Sequence, residues 1–351
     1  MTLEILTFIG GLIVLSWGAE CLVSGSSRLA SSHGVKPILV GLTIVSVGTS
    51  APELVISVVA SLSGSANLAV GNVLGSNLAN VGLVLGISAV IRPLVLEGRP
   101  LRPREIFKKV LSLTSVSWKR FLRSERASFR EACVMLLITL LALWIIWNSP
   151  IGVLKGLLLI ALAIGYLVWL FLQNAQKGHT RVLGEEEGSA GEEVGLSAGT
   201  PPRERVSTLR QCVFIGLGCL GLVIGAYLVR DSALSIAGIV GMSERAIGLS
   251  LVAVGTSLPE LATCIVAALR REGGIVVGNI LGSNIFNLTL VLGITSTITP
   301  INHQIPPSDF LAVMIISALL VPVVLTGSRI ARMEGLILLG AYAVLGFWVL
   351  S

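Results

Sequence analysis

Two glutamates stand inside stretches that are otherwise almost wholly apolar. Glu53 and Glu260 each close the hexapeptide G-T-S-x-P-E, once as Gly48-Thr49-Ser50-Ala51-Pro52-Glu53 and once as Gly255-Thr256-Ser257-Leu258-Pro259-Glu260. Thr49 and Glu53 are four residues apart, as are Thr256 and Glu260, so on a helix their oxygens share one face, with Ser50 or Ser257 beside them. Pro52 and Pro259 lack an N–H, and their rings displace the carbonyls of Gly48 and Gly255, four positions back. A carbonyl released in hydrocarbon is costly unless something binds it. Each motif therefore gathers a carboxylate, two hydroxyls and an unpaired carbonyl. Hard cations take oxygen ligands, and Ca²⁺ takes six to eight in a flexible shell. Two carboxylates neutralise one Ca²⁺ or admit several Na⁺ ions in competition, which is the charge arithmetic of exchange. Ser50…Glu53 and Ser257…Glu260 also read as capping boxes. A bare cap needs no ionisable group deep in an apolar segment, where a charge costs about 3 kcal/mol or more; capping and ligation are compatible.

A second motif, G-N-x-L-G-S-N-x-x-N, follows each of the first, from Gly71 to Asn80 and from Gly278 to Asn287. Ser76 and Asn80 are four apart on one face, as are Ser283 and Asn287, and they are candidates to add hydroxyl and amide oxygens to the site. The alternative for this set is helix packing with interhelical hydrogen bonds. For the glycines, and for Asn77 and Asn284, packing is the expected role.

The elements that carry these residues read as transmembrane helices. Mean hydropathy is +0.90, with 54% hydrophobic and 13% charged residues, which excludes an ordinary soluble domain. Apolar blocks of roughly 18–25 residues, the length needed to cross ~30 Å of hydrocarbon, fall at about 3–26, 36–60, 67–91, 128–148, 151–173, 209–230, 243–268, 275–298, 309–326 and 333–350. The expectation is an all-α membrane protein of ten transmembrane helices, with the second and seventh broken at their prolines. The first block has no preceding positive charge and no small-residue cleavage pattern, so it is expected to be a retained helix. The five cysteines lack metal-type spacing and read as packing residues.

Residues 41–86 align without gaps on 248–293, identical at 25 of 46 positions with a constant offset of 207. Five helices separate equivalent elements, and five is odd, so the second copy must enter the membrane from the opposite face. Two inverted five-helix repeats follow, at 1–173 and 209–351, with a flexible linker at 174–208 and a basic insertion at about 99–127. An inverted repeat with interrupted helices in matching positions points to a secondary transporter with its site at the midplane.

A net charge of +6 raises nucleic acid as a partner, but its distribution argues against one. All but Lys155, Arg230 and Arg245 of the 25 lysines and arginines fall in loops on the face opposite the termini. The positive-inside rule then puts the linker in the cytoplasm and both termini outside, in a plasma (cytoplasmic) membrane. The insertion, with Phe107, Trp118 and Phe121 among its basic residues, suits an interfacial helix or a topogenic loop. Glu20, in the first helix, is a candidate for an ion entrance, and His33, His179 and His303 fall in loops with no constellation around them.

At the two motifs the chain resembles the Ca²⁺/cation antiporter superfamily, and within it the prokaryotic sodium/calcium exchanger branch. The resemblance implies alternating access around a diamond of four ion sites lined by the second, third, seventh and eighth helices. It implies ion ligands at Thr49, Ser50, Glu53, Ser76 and Asn80, and at Thr256, Ser257, Glu260, Ser283 and Asn287. Main-chain carbonyls near Ser46 and Ala253 would add Na⁺ ligands, and the long first and sixth helices would slide past the core. Some relatives carry Asp at the position of Asn287, so two acids here argue against K⁺ co-transport. The expected activity is Ca²⁺/Na⁺ antiport; H⁺-coupled antiport of Ca²⁺, Mn²⁺ or Mg²⁺ is the alternative. No cofactor, obligate protein partner or enzymatic activity is expected, since the apolar blocks hold no Ser/His or Ser/Lys dyad and no phosphate-binding loop.

Overall fold

Long apolar helices dominate the computed structural model, which describes residues 2–96, 127–147, 150–186, 207–239, 253–303, 305–326 and 329–350. In chain order they are α1 (Thr2–Ser32), α2 (Pro37–Thr49), α3 (Ala51–Leu62), α4 (Ala66–Ile91), α5 (Ala127–Ile146), α6 (Val153–Glu186), α7 (Thr208–Ile239), α8 (Ala253–Thr256), α9 (Leu258–Leu269), α10 (Gly273–Ile298), α11 (Pro307–Thr326) and α12 (Arg332–Leu350). Among the described residues eight helices are long and apolar enough to cross a membrane, or nine if the bent pair α2 and α3 is one span. Residues 99–126 of the expected basic insertion, 187–206 of the expected linker and 243–252 of the expected seventh helix lie outside the described residues.

The polarity of the molecule is that of a protein in lipid. Leu3, Trp144, Leu154, Phe171 and Phe347 stand exposed on the outer helices, while Glu53, Glu260, Asn80 and Asn287 are wholly buried. Every side chain from Ile275 to Thr289 of α10 is buried, which makes α10 the innermost helix. Helices α2 and α9 lie against it, and α6 and α12 cover the ends of α10 and α4.

Glycine sets the closest approaches. On α1, a Cβ built on Gly18 would stand 2.6 Å from the Leu222 amide nitrogen of α7, and one on Gly218 of α7 would stand 2.5 Å from the Leu22 nitrogen. Spacings of seven residues, Gly11, Gly18 and Gly25 against Gly218 and Gly225, run this seam along the pair. Helix α2 meets α10 the same way: a Cβ on Gly41 would lie 2.5 Å from the Ile275 carbonyl, and one on Gly282 2.7 Å from that of Leu42. These contacts give Gly278 and Gly282 the packing role expected of them, whereas a Cβ on Gly71 or Gly75 would meet nothing within 4 Å, so the first motif's glycines do not pack this way.

Two short pairings tie the periphery. Strand β1 (Leu94–Val95) runs antiparallel to β2 (Arg329–Ile330), and Ile151 exchanges backbone hydrogen bonds with Ile301 at 2.9 and 3.1 Å. Each links the end of an inner helix, α4 or α10, to the start of an outer one, α12 or α6.

Some boundaries differ from the sequence reading. Helices α1 and α7 run 31 and 32 residues, past the expected ends at 26 and 230. Both are longer than a perpendicular crossing requires, which tilt accommodates. Helix α6 continues to Glu186, beyond the expected linker start at 174; residues 174–186 include Ala, Gln, Lys, Leu and Glu, which hold a helix in water as readily as in lipid. Arg130, counted among loop charges, is instead buried in α5, its guanidinium on the Glu131 carboxylate at 2.5 Å and over the Trp169 ring.

The α1–α7 seam yields a direct test. Gly18→Ala is expected to cost about 1–3 kcal/mol through overpacking, whereas Gly10→Ala, with no atom within 4 Å of the added Cβ, should cost nothing. Thermal unfolding of detergent-solubilised protein reads the difference, and equal melting temperatures for the two variants would refute the close seam.

Candidate ion site at the helix breaks

The two helix breaks are built alike. Ser50 separates α2 from α3 at φ −83°, ψ 4°, and Ser257 separates α8 from α9 at φ −88°, ψ 9°. The first break bends the span by 41°. Proline at the second helical position follows each serine, so Glu53 and Glu260 fall in the first turns of α3 and α9. There the unpaired N–H groups and the helix dipole favour negative charge. Both serines occupy the cap position, but neither side chain makes a cap hydrogen bond. Proline has removed one of the two N–H groups that a cap accepts from. Ser50 Oγ instead donates to Glu260 Oε1, across the gap between the two breaks, at 3.3 Å.

All ten candidate residues are at most 5% exposed. Thr49 shares a hydrogen bond with Ser283 at 3.5 Å, and Thr256 one with Ser76 at 3.4 Å; the two pairs are related by the repeat offset. Asn80 Nδ2 donates to Asn284 Oδ1 at 3.2 Å. Among the described residues neither oxygen of Glu53 has a hydrogen-bond partner, nor have Glu260 Oε2, Asn80 Oδ1, Ser257 Oγ or either amide atom of Asn287. Leaving such groups unsatisfied out of water costs free energy. The structure thus pairs Thr49 with Ser283, Ser50 with Glu260 and Ser76 with Thr256. It leaves Glu53, Ser257 and Asn287 with open valences. The Ser46 carbonyl, an expected Na⁺ ligand, accepts the Ser50 N–H at 3.0 Å and the Thr49 hydroxyl at 3.4 Å.

Asn77 and Asn284 take the packing role. Asn77 Nδ2 donates to the Asn284 carbonyl at 3.0 Å, and Asn284 Nδ2 returns a bond to the Asn77 carbonyl at 3.3 Å. Glu20 pairs with Arg270 at the far end of α9, where both side chains are about two-fifths exposed.

Among the described residues three π turns escaped the sequence reading. Residues Gly41–Val45, Asn80–Val84 and Asn287–Val291 replace the α ladder with i→i+5 bonds, Ser46 N–H to Gly41 O, Leu85 N–H to Asn80 O and Leu292 N–H to Asn287 O. Such turns redirect side chains and carbonyls and concentrate at functional sites. Two of them start on the candidate ligands Asn80 and Asn287. Their one trace in the sequence is the shared N-x-x-L-V-L-G. Asn72 and Asn279 were also missed: Asn72 Nδ2 bonds Ser57 Oγ at 3.1 Å and the Glu53 carbonyl at 3.4 Å. Asn279 accepts the Thr49 hydroxyl at 3.2 Å and donates to Cys264 Sγ at 3.4 Å. No group of three His, Cys, Asp or Glu side chains that could hold a metal occurs among the described residues. The donor set is one of carboxylate, hydroxyl and amide oxygens, suited to hard cations.

The model of the sodium/calcium exchanger protein family matches residues 3–172 and 211–350. The chain belongs to that family. It is a multi-pass membrane cation antiporter of the family. The inner membrane protein YrbG of Escherichia coli is 33% identical over 86% of this chain and 81% of its own. The sodium/calcium exchanger MaX1 of Methanosarcina acetivorans is 29% identical over 97% of both chains. A solved structure of the sodium-calcium exchanger NCX_Mj, soaked with Na⁺ and Sr²⁺, superposes with a TM-score of 0.72 at 30% identity, covering 98% of this chain and 97% of its own.

In this exchanger the reciprocal Asn77–Asn284 bonds should be energetically coupled. Asn77→Ala and Asn284→Ala are each expected to destabilise by about 1–3 kcal/mol, and the double variant by clearly less than their sum. A double-mutant cycle on thermal unfolding measures this, and strict additivity would show that the two amides do not act together.

Proposed function

We propose that the chain exchanges Ca²⁺ for Na⁺ by alternating access, the two ions competing for one site at the middle of the membrane. The observation that carries this reading is the burial of Glu53 and Glu260 with three of their four carboxylate oxygens unpartnered. Thr49, Ser50, Ser76, Asn80, Thr256, Ser257, Ser283 and Asn287 are the remaining ligands of the proposal. The open oxygens of Glu53, Glu260, Ser257, Asn80 and Asn287 approach in number the six to eight that Ca²⁺ takes. A Ca²⁺ ion would cancel both carboxylates, and Na⁺ ions would do the same in larger number. Similarity to the sodium/calcium exchangers MaX1 and NCX_Mj supports the same pair of ions.

The architecture of the proposal is ten transmembrane helices in two inverted repeats, 1–173 and 209–351. Helices α8 and α9 belong to the broken seventh span of the proposal. Both termini lie outside the cytoplasmic membrane, and the 174–208 segment lies in the cytoplasm, as the distribution of lysine and arginine supports.

Radiolabelled Ca²⁺ uptake into Na⁺-loaded proteoliposomes tests the reading. Wild type is expected to take up Ca²⁺ when Na⁺ is inside and to stop when choline replaces it; Glu53→Gln and Glu260→Gln should each lose at least tenfold in rate. Uptake driven by a pH gradient without Na⁺ would make H⁺ the coupling ion. Undiminished uptake in both variants would remove the carboxylates from the site.

A further inference from the structure

A cavity of about 330 Å³ lies beside the α1–α7 seam, where the two helices meet the end of α9. Trp17, Glu20 and Arg28 line it from α1, Arg210 and Phe214 from α7, and Arg270 from the end of α9. A Cβ on Gly25 would stand 3.2 Å from the Phe214 Cβ, so the cavity flanks the tight seam and does not interrupt it. Three arginines against one glutamate leave two positive charges over. Arg270 is held by Glu20, its Nε donating to Oε2 at 3.1 Å. The Arg210 guanidinium stands 5.7 Å from the centre of the Phe214 ring, which puts its charge at the cavity wall. Among the described residues neither Arg28 nor Arg210 pairs with a carboxylate.

The cluster has no twin at the other face. One repeat offset away, Glu20, Arg28 and Arg270 correspond to Tyr227, Ser235 and Ser63, and Arg210 corresponds to Leu3. Helix packing shared by the two repeats therefore does not require it. A charge that only sets topology serves from any position in a loop and has no need to gather round a cavity. The cavity is also polarised along its length. Arg28, Arg210 and Arg270 sit at helix ends, whereas Trp17 lies near the middle of α1. Trp17, Ile13 one turn before it and Leu217 one turn beyond Phe214 are exposed on the apolar outer surface. An inorganic anion would use only the charged end. A phospholipid matches both, with its phosphate at the helix ends and its acyl chains alongside the apolar face.

We propose that this cavity is a site for an anionic phospholipid, whose headgroup phosphate is held by Arg28 and Arg210 and bridges α1 and α7. Guanidinium groups bind phosphate oxygens through charge-assisted, often bidentate hydrogen bonds. Basic pockets between transmembrane helices on the cytoplasmic side suit such headgroups, and the topology proposed above puts the cavity on that side.

The test is lipid titration of the purified full-length chain in detergent, read by native mass spectrometry, with phosphatidylglycerol, phosphatidylcholine and inorganic phosphate as probes. Wild type is expected to bind one phosphatidylglycerol at least about tenfold more tightly than phosphatidylcholine, without displacement by inorganic phosphate. Arg28→Gln and Arg210→Gln should each weaken phosphatidylglycerol binding about fivefold, and together about twenty-five-fold, with phosphatidylcholine unaffected. Lysine at both positions keeps the charge and should lose no more than about threefold. Arg332→Gln, which removes an exposed charge at the start of α12, should leave binding as it is. Equal affinity for the two lipids, undiminished binding in the double Gln variant, or an equal loss with Arg332→Gln would overturn the proposal. Displacement by inorganic phosphate would make this a site for a free anion and overturn the lipid assignment. If the double Gln variant does not fold, the single variants carry the test, and unchanged binding in both overturns it. Binding is read without Na⁺ or Ca²⁺, so its outcome is independent of the exchange reading.

Discussion

The structure depends on one constraint: two carboxylates are held where no water reaches them. Glu53 is fully buried with neither oxygen partnered, and Glu260 receives one bond, from Ser50. In hydrocarbon each unsatisfied polar group costs several kcal/mol. The chain lessens that cost by breaking the helices at Ser50 and Ser257, so that the first turns of α3 and α9 present N–H groups and a positive dipole end to the acids. Keeping water out then requires α10 to be enclosed along its length and the outer helices to turn their apolar faces to lipid.

The contacts around the site come in pairs separated by the repeat offset. Thr49–Ser283 and Ser76–Thr256 are one such pair, and Asn77 and Asn284 are each other's mates. The strand pairing Leu94–Ile330 and the bridge Ile301–Ile151 repeat the logic at the periphery. Departures from this reciprocity are therefore informative. Ser50 reaches Glu260, while Ser257 does not reach Glu53. Asn72 meets the Ser57 hydroxyl where Asn279 meets the Cys264 thiol. A site that must receive the same ions from both faces needs two similar halves, and a preferred conformation needs them unequal.

Much of this was legible in the sequence because it rests on residue type and spacing. The apolar blocks mark the helices, G-T-S-x-P-E marks the breaks through proline stereochemistry, and the repeat brings the two motifs into one argument. What escaped depends on backbone detail that periodicity does not encode. A π turn shifts the register by one residue without changing hydrophobicity, so the turns beginning at Asn80 and Asn287 left almost no trace. The capping boxes had the right spacing, but with proline present the Ser50 hydroxyl found a better partner across the gap. The ends of α1, α6 and α7 were misjudged because helices do not stop where hydrocarbon stops.

The two kinds of helix contact differ in what they permit. Helices α2, α4 and α10 are joined by directional bonds, Thr49 to Asn279, Asn80 to Asn284 and the Asn77–Asn284 exchange, each lost if the helices shift by an ångström or two. The α1–α7 pair is closed on itself by glycine. Among the described residues its side-chain bonds to the inner helices fall at one end, Glu20–Arg270 and Ser27–Glu272. Van der Waals surfaces can re-form after a translation, whereas a buried hydrogen bond left open exposes two unsatisfied groups to hydrocarbon. Movement of α1 and α7 against the inner helices therefore costs less than movement within the core, and Glu20–Arg270 and Ser27–Glu272 are the side-chain bonds it would break.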